Sequence, residues 1–315
     1  MTKYLMLRCI YLLGVSGLGL GVANAQYPSK PIRIVTSPSG GGADFASRLI
    51  AKAISGTLGQ QVIVDNRPTT TLTDIVASAA PDGYTLLLTG SAHWIAPLLD
   101  KVSYDPLKDF AAITLIDRSP NVLVVHPSMP VKTVKDLIAL AKARPGEVNV
   151  AVGGRGSSNF VATVLFVHMA GVNMLRVPYR GSGPATVSVL SGETHAIFAS
   201  AGTVAPHIKA GRLRVLGVSG AKPSVLAPGV PTIAESGVPG YEAESLRAML
   251  APAKTPPAVV ARIHQEVARY LQSAEAQSIF RKQGTDPEPS SPKELIAIMS
   301  AEMDRMGKVF RAAGM

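Results

Sequence analysis

A loop rich in glycine and serine lies between the first predicted strand, Ile32–Val35, and a predicted helix that runs from Asp44 to about Leu58. The loop reads Ser37, Pro38, Ser39, Gly40, Gly41, Gly42, Ala43 and Asp44. Glycines allow backbone N–H groups to come close to a bound group, and the positive end of a helix favours an anion. We expect this loop to bind an anion, with Gly41 at positive φ. An ordinary strand-to-helix turn is the alternative interpretation.

Two further loops of small residues also follow predicted strands and precede predicted helices. They are Gly153, Gly154, Arg155, Gly156, Ser157, Ser158 and Asn159, and the stretch from Tyr179 to Ala185 that includes Ser182. Hydroxyl and backbone N–H groups can surround a carboxylate, and Arg155 can contact it through two parallel hydrogen bonds. Loops at the carboxyl ends of strands are where open α/β sheets bind ligands. The alternative for Arg155 is an arginine exposed to solvent in a turn.

The predicted ligand site combines residues of these loops with three residues from elsewhere in the chain. It consists of Ser37, Ser39, Gly40, Gly41, Gly42, Ala43, Asp44, Ser91, His93, Gly154, Arg155, Gly156, Ser157, Ser158, Asn159, Tyr179, Ser182 and Ser200. His93 stands beside Trp94, and we include it as a cleft residue. A structural position in the core is the alternative for His93.

Motifs of catalysis and of metal binding are missing from the sequence. Gly217-Val218-Ser219-Gly220 is followed by Ala221, so it is not a G-x-S-x-G nucleophile motif. The six histidines show no H-E-x-x-H or other metal-ligand spacing, and no two carboxylates form an obvious acid–base pair. We therefore expect a binding protein with no metal, cofactor or catalytic activity. The alternative is a periplasmic enzyme on the same fold, which would turn over the carboxylate that it binds.

The N-terminus has the three parts of a secretory signal peptide. Lys3 and Arg8 are followed by the uncharged apolar run Cys9–Leu20 and by a small-residue cleavage site at Ala23-Asn24-Ala25. We expect cleavage after Ala25 and a periplasmic mature protein; an uncleaved anchor is the alternative. The only cysteine of the chain would leave with this peptide, so we expect no disulfide in the mature protein.

Charge and composition argue against a nucleic-acid partner. The formal charge of +10 falls to +8 when the two cationic residues of the signal peptide are removed. Nucleic-acid binding favours clustered basic residues with interleaved aromatics, whereas the basic residues here are scattered and aromatics make up only 5% of the chain. The excess of positive charge attracts small anions weakly and generally.

The remaining pattern alternates short apolar strands with amphipathic helices, which predicts an α/β protein with mostly parallel sheets. Further strands are predicted at Gln61–Val64, Tyr84–Leu88, Val122–Val125, Val148–Val152, Leu175–Val177, His195–Phe198 and Leu213–Val218. Thr133, Thr255 and Ser291 are predicted helix caps, and Ser291 forms a capping box with Glu294.

Two long extended segments, Phe110–His126 and Tyr241–Pro252, are predicted to cross between two lobes. We expect residues 26–122 and 237–315 to form the first lobe and residues 123–236 to form the second. Two crossing strands make a hinge about which lobes can close around a ligand.

Several motifs in order along the mature chain resemble one protein family. They are Tyr27-Pro28-Ser29-Lys30-Pro31-Ile32, Gly40-Gly41-Gly42-Ala43-Asp44, Asp65-Asn66-Arg67-Pro68, Ala79-Ala80-Pro81-Asp82-Gly83-Tyr84-Thr85, Tyr104-Asp105-Pro106-Leu107-Lys108-Asp109-Phe110, Val177-Pro178-Tyr179-Arg180-Gly181-Ser182-Gly183-Pro184-Ala185 and Pro231-Thr232-Ile233-Ala234-Glu235-Ser236-Gly237. Together they resemble the substrate-binding proteins of tripartite tricarboxylate transporters, also called the Bug family.

The resemblance implies a two-lobed periplasmic binding protein of the Venus-flytrap kind. It also implies a small carboxylate ligand, held partly through water by the loops Ser37–Asp44 and Gly154–Asn159, and permease subunits as partners of a monomer. A partner that is a sensor kinase is the alternative. Three places depart from the family pattern, at Thr69–Thr73, Ala43 and Ala199-Ser200. All three are expected near the cleft, and the loss of an aspartate at the third argues against a ligand with an amino group.

Overall fold

The computed structural model describes residues 27–154, 156–179, 182–225 and 227–315. The predicted signal peptide, residues 1–25, lies outside the described residues, and so does the predicted ligand residue Arg155. The side chain of Ser182 is likewise outside the description. No helix in the described ranges is both long and apolar enough to cross a membrane.

Ten strands in the described part of the chain are hydrogen-bonded into one continuous sheet. They are β1 (Ile32–Thr36), β2 (Val62–Asn66), β3 (Thr85–Gly90), β4 (Phe110–Val125), β5 (Asn149–Val152), β6 (Leu175–Pro178), β7 (Ala196–Ser200), β8 (Arg214–Val218), β9 (Glu244–Pro252) and β10 (Asp286–Pro287). The main path runs β2-β1-β3-β9-β4-β7-β5-β6, and β8 and β10 pair with β4. The pairs among β1, β2 and β3 and among β5, β6 and β7 are parallel, as predicted. Pairs that involve β4 or β9 are antiparallel.

Helices connect most of the consecutive strands, which confirms the predicted alternation. They are α1 (Gly42–Leu58), α2 (Leu72–Ala77), α3 (Ala92–Ile95, extended by the 3₁₀ turn Ala96–Leu98), α4 (Val134–Ala143), α5 (Ser158–Ala170), α6 (Ser182–Leu190), α7 (Ala201–Lys209), α8 (Pro257–Leu271), α9 (Ala274–Lys282) and α10 (Pro292–Ala312). Most predicted strand ends differ from the observed ones by one or two residues. The segment predicted as the short strand Val122–Val125 is the end of the much longer β4.

Strand β4 joins the two halves of the sheet because its two ends pair with different partners. Phe110–Pro120 pairs with β9, whereas Asn121–Val125 pairs with β7. We call the half built on β1, β2 and β3 the first lobe and the half built on β5, β6, β7 and β8 the second lobe. The chain enters β9 from the second lobe, where Ala243 donates to the Ser219 carbonyl at 2.8 Å, and β9 then pairs with β3. Both predicted crossing segments are therefore confirmed, and the bounds of the two lobes stay a prediction.

Side-chain packing ties the start of β9 to the second lobe. Tyr241 is 1% exposed, and its hydroxyl donates to the Ala162 carbonyl at 2.8 Å. Its ring contacts Phe166 and Phe198, with ring centroids 6.1 and 6.2 Å away. Aromatic contacts of this geometry add to the free energy gained from burial. The second crossing is thus anchored at the point where it leaves the second lobe.

Two of the three predicted helix caps are confirmed. Thr133 and Ser291 each accept a hydrogen bond from the third helical residue, Asp136 and Glu294, and both form complete capping boxes. The cap predicted at Thr255 is wrong. Helix α8 starts after Pro256, and the Thr255 hydroxyl donates back to the Pro252 carbonyl at 2.7 Å. Two consecutive prolines move the start of the helix, because proline fits the first helical turn well.

The C-terminal helix α10 is joined to the first lobe by a buried polar contact. Trp94 is fully buried, and its indole N–H donates to Glu302 Oε2 at 2.7 Å. Burial raises the pKa of Glu302 to about 7, while the Trp94 hydrogen bond and the nearby Arg305 oppose this rise. The folded state therefore binds a proton more tightly at Glu302 than the unfolded state does. Stability linked to this group is lost as pH rises from the ordinary carboxyl range through about 7.

Replacement Glu302→Gln should make the protein more stable at pH 8, and the gain should be much smaller at pH 5. Glutamine can still accept the Trp94 hydrogen bond but carries no charge to bury. The gain at pH 8 is expected to approach ~3 kcal/mol, because one pKa unit corresponds to 1.4 kcal/mol. Thermal and urea unfolding at both pH values measure the effect.

The control is Glu147→Gln, which removes an exposed carboxylate from a surface ion pair with Arg144. It should change stability little at either pH. An equal gain from Glu302→Gln at pH 5 and pH 8 would show that the buried carboxyl does not titrate in this range.

Candidate functional site

A cavity of about 460 Å³ lies between the two lobes, where β4 and β9 cross. It is lined by Gly40, Gly41, Gly42, Asp44, Phe45, Arg48, Ser119, Asn121, Ser158, Ser200, Ser245, Arg247, Gln283 and Thr285. The glycines start α1, Ser158 starts α5 and Ser200 precedes α7, so the N-termini of three helices meet at this cavity. The volume is suited to a small organic molecule.

The three helices that start at the cavity lack side-chain caps. Gly41, Ser157 and Ser200 occupy their N-cap positions, and none of these residues accepts a capping hydrogen bond through its side chain. Of the helices that start elsewhere, α4, α9 and α10 are capped by side chains, whereas α2, α3 and α8 are not. An uncapped N-terminus leaves backbone N–H groups that need an acceptor, and the helix dipole adds positive potential there. The cavity is therefore suited to an anionic group with several oxygens.

The glycine loop adopts its unusual conformation one residue earlier than expected. Gly40 has a φ of +87°, whereas Gly41 has a φ of −85° and is the N-cap of α1. The prediction of positive φ at Gly41 is therefore wrong. Gly42 is constrained in a different way, because a Cβ atom there would overlap the guanidinium of Arg247 and that side chain would have to move.

Asp44 stabilises the loop from inside the structure. Its carboxylate accepts hydrogen bonds from the Gly40 N–H at 3.0 Å and from Asn66 Nδ2 at 2.9 Å, and it pairs with Arg48 at 2.9 Å. Burial opposes ionisation of Asp44, but these contacts outweigh burial and hold the pKa of the carboxyl below its ordinary value. Asp44 borders the cavity, but both of its carboxylate oxygens already have partners within the protein. It therefore stabilises the loop and needs no hydrogen bond from a ligand.

The β5–α5 loop is held by its own side chains in a similar way. Asn159 is 3% exposed, and its Oδ1 accepts hydrogen bonds from the Gly153 N–H at 3.1 Å and from the Ser157 hydroxyl at 2.6 Å. These contacts orient the loop so that Ser158 reaches the cavity. Asn159 and Ser157 are therefore supporting residues, and Gly154 and Gly156 do not line the cavity.

The floor of the cavity contains a buried ion pair on the two crossing strands. Arg247 of β9 donates through Nε to Asp117 Oδ2 at 2.9 Å, and its Nη2 lies 2.8 Å from Asp117 Oδ1. Asp117 is fully buried, and the side chain of Arg247 is 12% exposed. Burial raises the pKa of Asp117 to about 6, and the Arg247 guanidinium opposes this rise. The carboxylate is therefore mostly ionised at neutral pH and fixes the guanidinium in place.

The two lobes come close together at one lip of the cavity. A Cβ atom on Gly202, the second residue of α7, would lie 3.1 Å from the Gln283 carbonyl oxygen of the first lobe. A Cβ atom on Gly284 would lie 2.8 Å from the Gly202 nitrogen. A side chain at Gly284 would require the backbone to move, and a side chain at Gly202 would be a tight fit. The described conformation therefore has the lobes in backbone contact beside the cavity.

Six of the predicted ligand residues line the cavity, namely Gly40, Gly41, Gly42, Asp44, Ser158 and Ser200. The prediction that His93 is a cleft residue is wrong. Its ring is buried and stacks on Tyr104 at 4.9 Å, and burial lowers the pKa of His93 to about 4, so it is neutral. Ser91 and Tyr179 do not line the cavity: the Ser91 N–H donates to the Leu246 carbonyl at 2.9 Å, and the Tyr179 hydroxyl donates to Glu193. Ser37, Ser39 and Ala43 belong to the glycine loop but do not face the cavity.

Eight cavity residues were not predicted from the sequence, namely Phe45, Arg48, Ser119, Asn121, Ser245, Arg247, Gln283 and Thr285. Four of them, Ser119, Asn121, Ser245 and Arg247, are at alternate positions on the crossing strands. Polar residues two positions apart on a strand share one face, so these two pairs on the predicted crossing segments are a signal that could have identified them. In the described part of the chain, no group of His, Cys, Asp and Glu is arranged to hold a metal ion.

Comparisons with known proteins agree with this architecture. Residues 46–315 match the family described as tripartite tricarboxylate transporter family receptor. The protein BugT of Bordetella pertussis is 34% identical over 321 residues, which cover 100% of this chain and 98% of BugT.

Two solved structures with named ligands are similar over nearly their whole length. The structure described as R. palustris Rpa4515 with adipate is 35% identical, with a TM-score of 0.80, and the match covers 91% of this chain and 98% of the Rpa4515 chain. The structure of MatC from Rhodopseudomonas palustris with bound malate is 26% identical, with a TM-score of 0.76, and the match covers 90% of this chain and 99% of the MatC chain. These matches and the family match lead to one conclusion: the chain belongs to the tripartite tricarboxylate transporter receptor family, whose members are periplasmic solute-binding proteins with a two-domain α/β fold.

Proposed function

We propose that this protein is exported to the periplasm, captures a small carboxylate-bearing compound in the cleft and delivers it to the membrane permease of a tripartite transporter. The observation that carries the proposal is the convergence of three uncapped helix N-termini on one cavity between the lobes. Backbone N–H groups at such ends bind carboxylates well, because they donate hydrogen bonds and lie in a positive potential.

The side chains around the cavity support an anionic ligand. Asp44 is the only carboxylate among the lining residues described, and its oxygens already accept hydrogen bonds from the loop and from Asn66. Arg48 and Arg247 line the same cavity as hydrogen-bond donors, and each is paired with an aspartate, Asp44 or Asp117. Adipate and malate are bound in the structures of Rpa4515 and MatC, which makes dicarboxylates the first compounds to test here.

Capture by closure follows from the way the lobes are connected. β4 and β9 are the strands that link the lobes in the described fold, and small rotations about such a pair open and close a cleft. Closure would exclude water around the ligand, so that hydrogen bonds to a charged group gain strength. A permease could then recognise the ligand-bound protein by the surface that only the closed form presents. We expect the protein to act as a monomer.

A carboxylate should raise the melting temperature of the purified mature protein. The test is a thermal-shift screen with mono-, di- and tricarboxylates from two to eight carbons, together with the neutral amide of each acid as its matched control. A ligand present at 100 times its Kd stabilises the native state by ~2.7 kcal/mol. Stabilisation by neutral amides or sugars but by no carboxylate would overturn the proposal.

Replacement Gly202→Val should weaken closure. Its side chain would meet the Gln283 backbone at the lip, where even a Cβ atom has only 3.1 Å. Small-angle scattering of the wild type should show a decrease in radius of gyration on adding the best carboxylate, and the variant should show a smaller decrease. Gly183→Val is the matched control, because Gly183 is also the second residue of a second-lobe helix and a Cβ atom there meets nothing within 4 Å. Equal compaction of all three proteins would contradict closure at this lip.

Replacement Ser158→Ala should lower the affinity for the carboxylate about 5- to 150-fold, because a charged acceptor in a closed cleft would lose one donor worth roughly 1–3 kcal/mol. Calorimetric titration measures the change. Ser78→Ala is the control, since the Ser78 hydroxyl is exposed and donates to the Asp74 carbonyl of its own helix. Equal affinities of the Ser158 variant and the wild type would show that α5 does not contact the ligand through this hydroxyl.

A further inference from the structure

A second groove between the lobes lies on the outer side of the lip, and we call it the α7–α9 groove. One wall is α7, which packs in the hydrophobic cluster of β7, and the other is the end of α9, which packs in the cluster of β1. Gly202 and Gly284 line this groove, whereas their neighbours Ser200 and Gln283 line the ligand cavity. The backbone contact at the lip therefore separates the two spaces, and the groove needs both lobes to be complete.

The α7–α9 groove is cationic. Lys209, Arg281 and Lys282 line it, and none of its described lining residues is a carboxylate. Arg281 pairs with Asp286 at 2.9 Å, whereas Lys209 and Lys282 are exposed and form no ion pair with a described residue. Each of these two lysines ends its own helix, where the helix dipole favours a cation. The dipoles account for each lysine separately, but not for their position on opposite walls of one groove.

The surface between the cations is small and apolar. Gly202, Ala205 and Pro206 are exposed along α7, and Val225 at the edge of the groove is 65% exposed. Protein–protein interfaces typically have an apolar centre with a polar rim. The α7–α9 groove therefore has the composition of a docking surface, and its charge favours an acidic partner.

We propose that the α7–α9 groove binds an acidic segment on the periplasmic face of the transporter's permease. The inference rests on the proposed function, in which the lobes rotate about β4 and β9. Opening of the cleft would move α7 away from α9 and divide the groove, so the two free lysines face one partner only in the closed protein. A permease that binds here takes the loaded protein in preference to the empty one. Complementary charge also speeds the encounter and disfavours wrong partners.

The test is uptake of a labelled carboxylate by cells whose chromosomal gene is replaced by each variant. The label is the compound that gives the largest thermal shift, used at a saturating concentration so that small changes in affinity do not alter occupancy. The double variant Lys209→Glu/Lys282→Glu should lower the uptake rate at least about tenfold, because electrostatic steering raises association rates about 10- to 1,000-fold. Its affinity for the carboxylate should stay within about threefold of wild type by calorimetry, since neither lysine lines the ligand cavity and exposed charges are screened by salt.

Two further double variants separate the charge of the groove from general effects. Lys209→Arg/Lys282→Arg keeps both charges and should keep wild-type uptake. Lys52→Glu/Lys142→Glu is the matched control, because it makes the same change of charge at exposed lysines of α1 and α4, one in each lobe and outside the groove. Lys142 also lies in the last turn of its helix, so the control includes the dipole effect. It should leave uptake unchanged.

Circular dichroism and immunoblots of the periplasm check that each variant is folded and exported. The single variants Lys209→Glu and Lys282→Glu keep the test decisive if the double variant does not fold, and each should lower uptake in part. Wild-type uptake in the glutamate variants, an equal loss in the control, or a loss in the arginine variant would overturn the groove alone. Failure of wild-type cells to take up a carboxylate that the protein binds would overturn delivery to a permease together with the groove. Failure of every carboxylate to bind would overturn the proposed function itself.

Discussion

The antiparallel pairing of β4 with β9 is the interaction on which the rest of the architecture depends. β4 is a strand of 16 residues that belongs to both lobes, and β9 pairs with it along its first-lobe part. Because side chains alternate along these strands, one face of the pair forms the floor of the cavity and the other face points away from it. The same two strands thus connect the lobes and line the floor of the cavity, and in the proposed function they are the strands about which the lobes rotate.

Polar groups at the cavity are fixed by partners that do not belong to the ligand. Asp117 fixes Arg247, Asn159 fixes the β5–α5 loop, and Asp44 fixes the glycine loop. Removing charges from water costs several kcal/mol per ion unless the geometry compensates, so a buried ion pair such as Asp117–Arg247 is weak evidence for stability. In this fold the ion pair instead holds the Arg247 guanidinium in one orientation at the cavity. When the side chains of a site are already ordered, less of the binding free energy is lost in ordering them.

Local sequence patterns predicted the fold and several residues along one side of the cavity, because the signals involved are local. Glycines before α1 and serines before α5 follow strands directly, and the capping box at Ser291 is contained in four residues. The floor could not be found in this way, since Asn121 and Arg247 are 126 positions apart and meet only through strand pairing. His93 was misplaced for a related reason. Its neighbours Tyr104 and Phe110, which place it in the core, come from later segments whose packing the sequence does not show.

The central claim is that a carboxylate binds where the N-termini of α1, α5 and α7 meet. A crystal structure of the mature protein with its tightest-binding carboxylate tests this most directly. The account predicts that one carboxylate group lies within hydrogen-bond distance, directly or through one water, of the backbone N–H groups of the glycine loop and of the Ser158 hydroxyl. A complex with the carboxylate outside this cavity, or inside it but with no contact to these helix ends, would contradict the account.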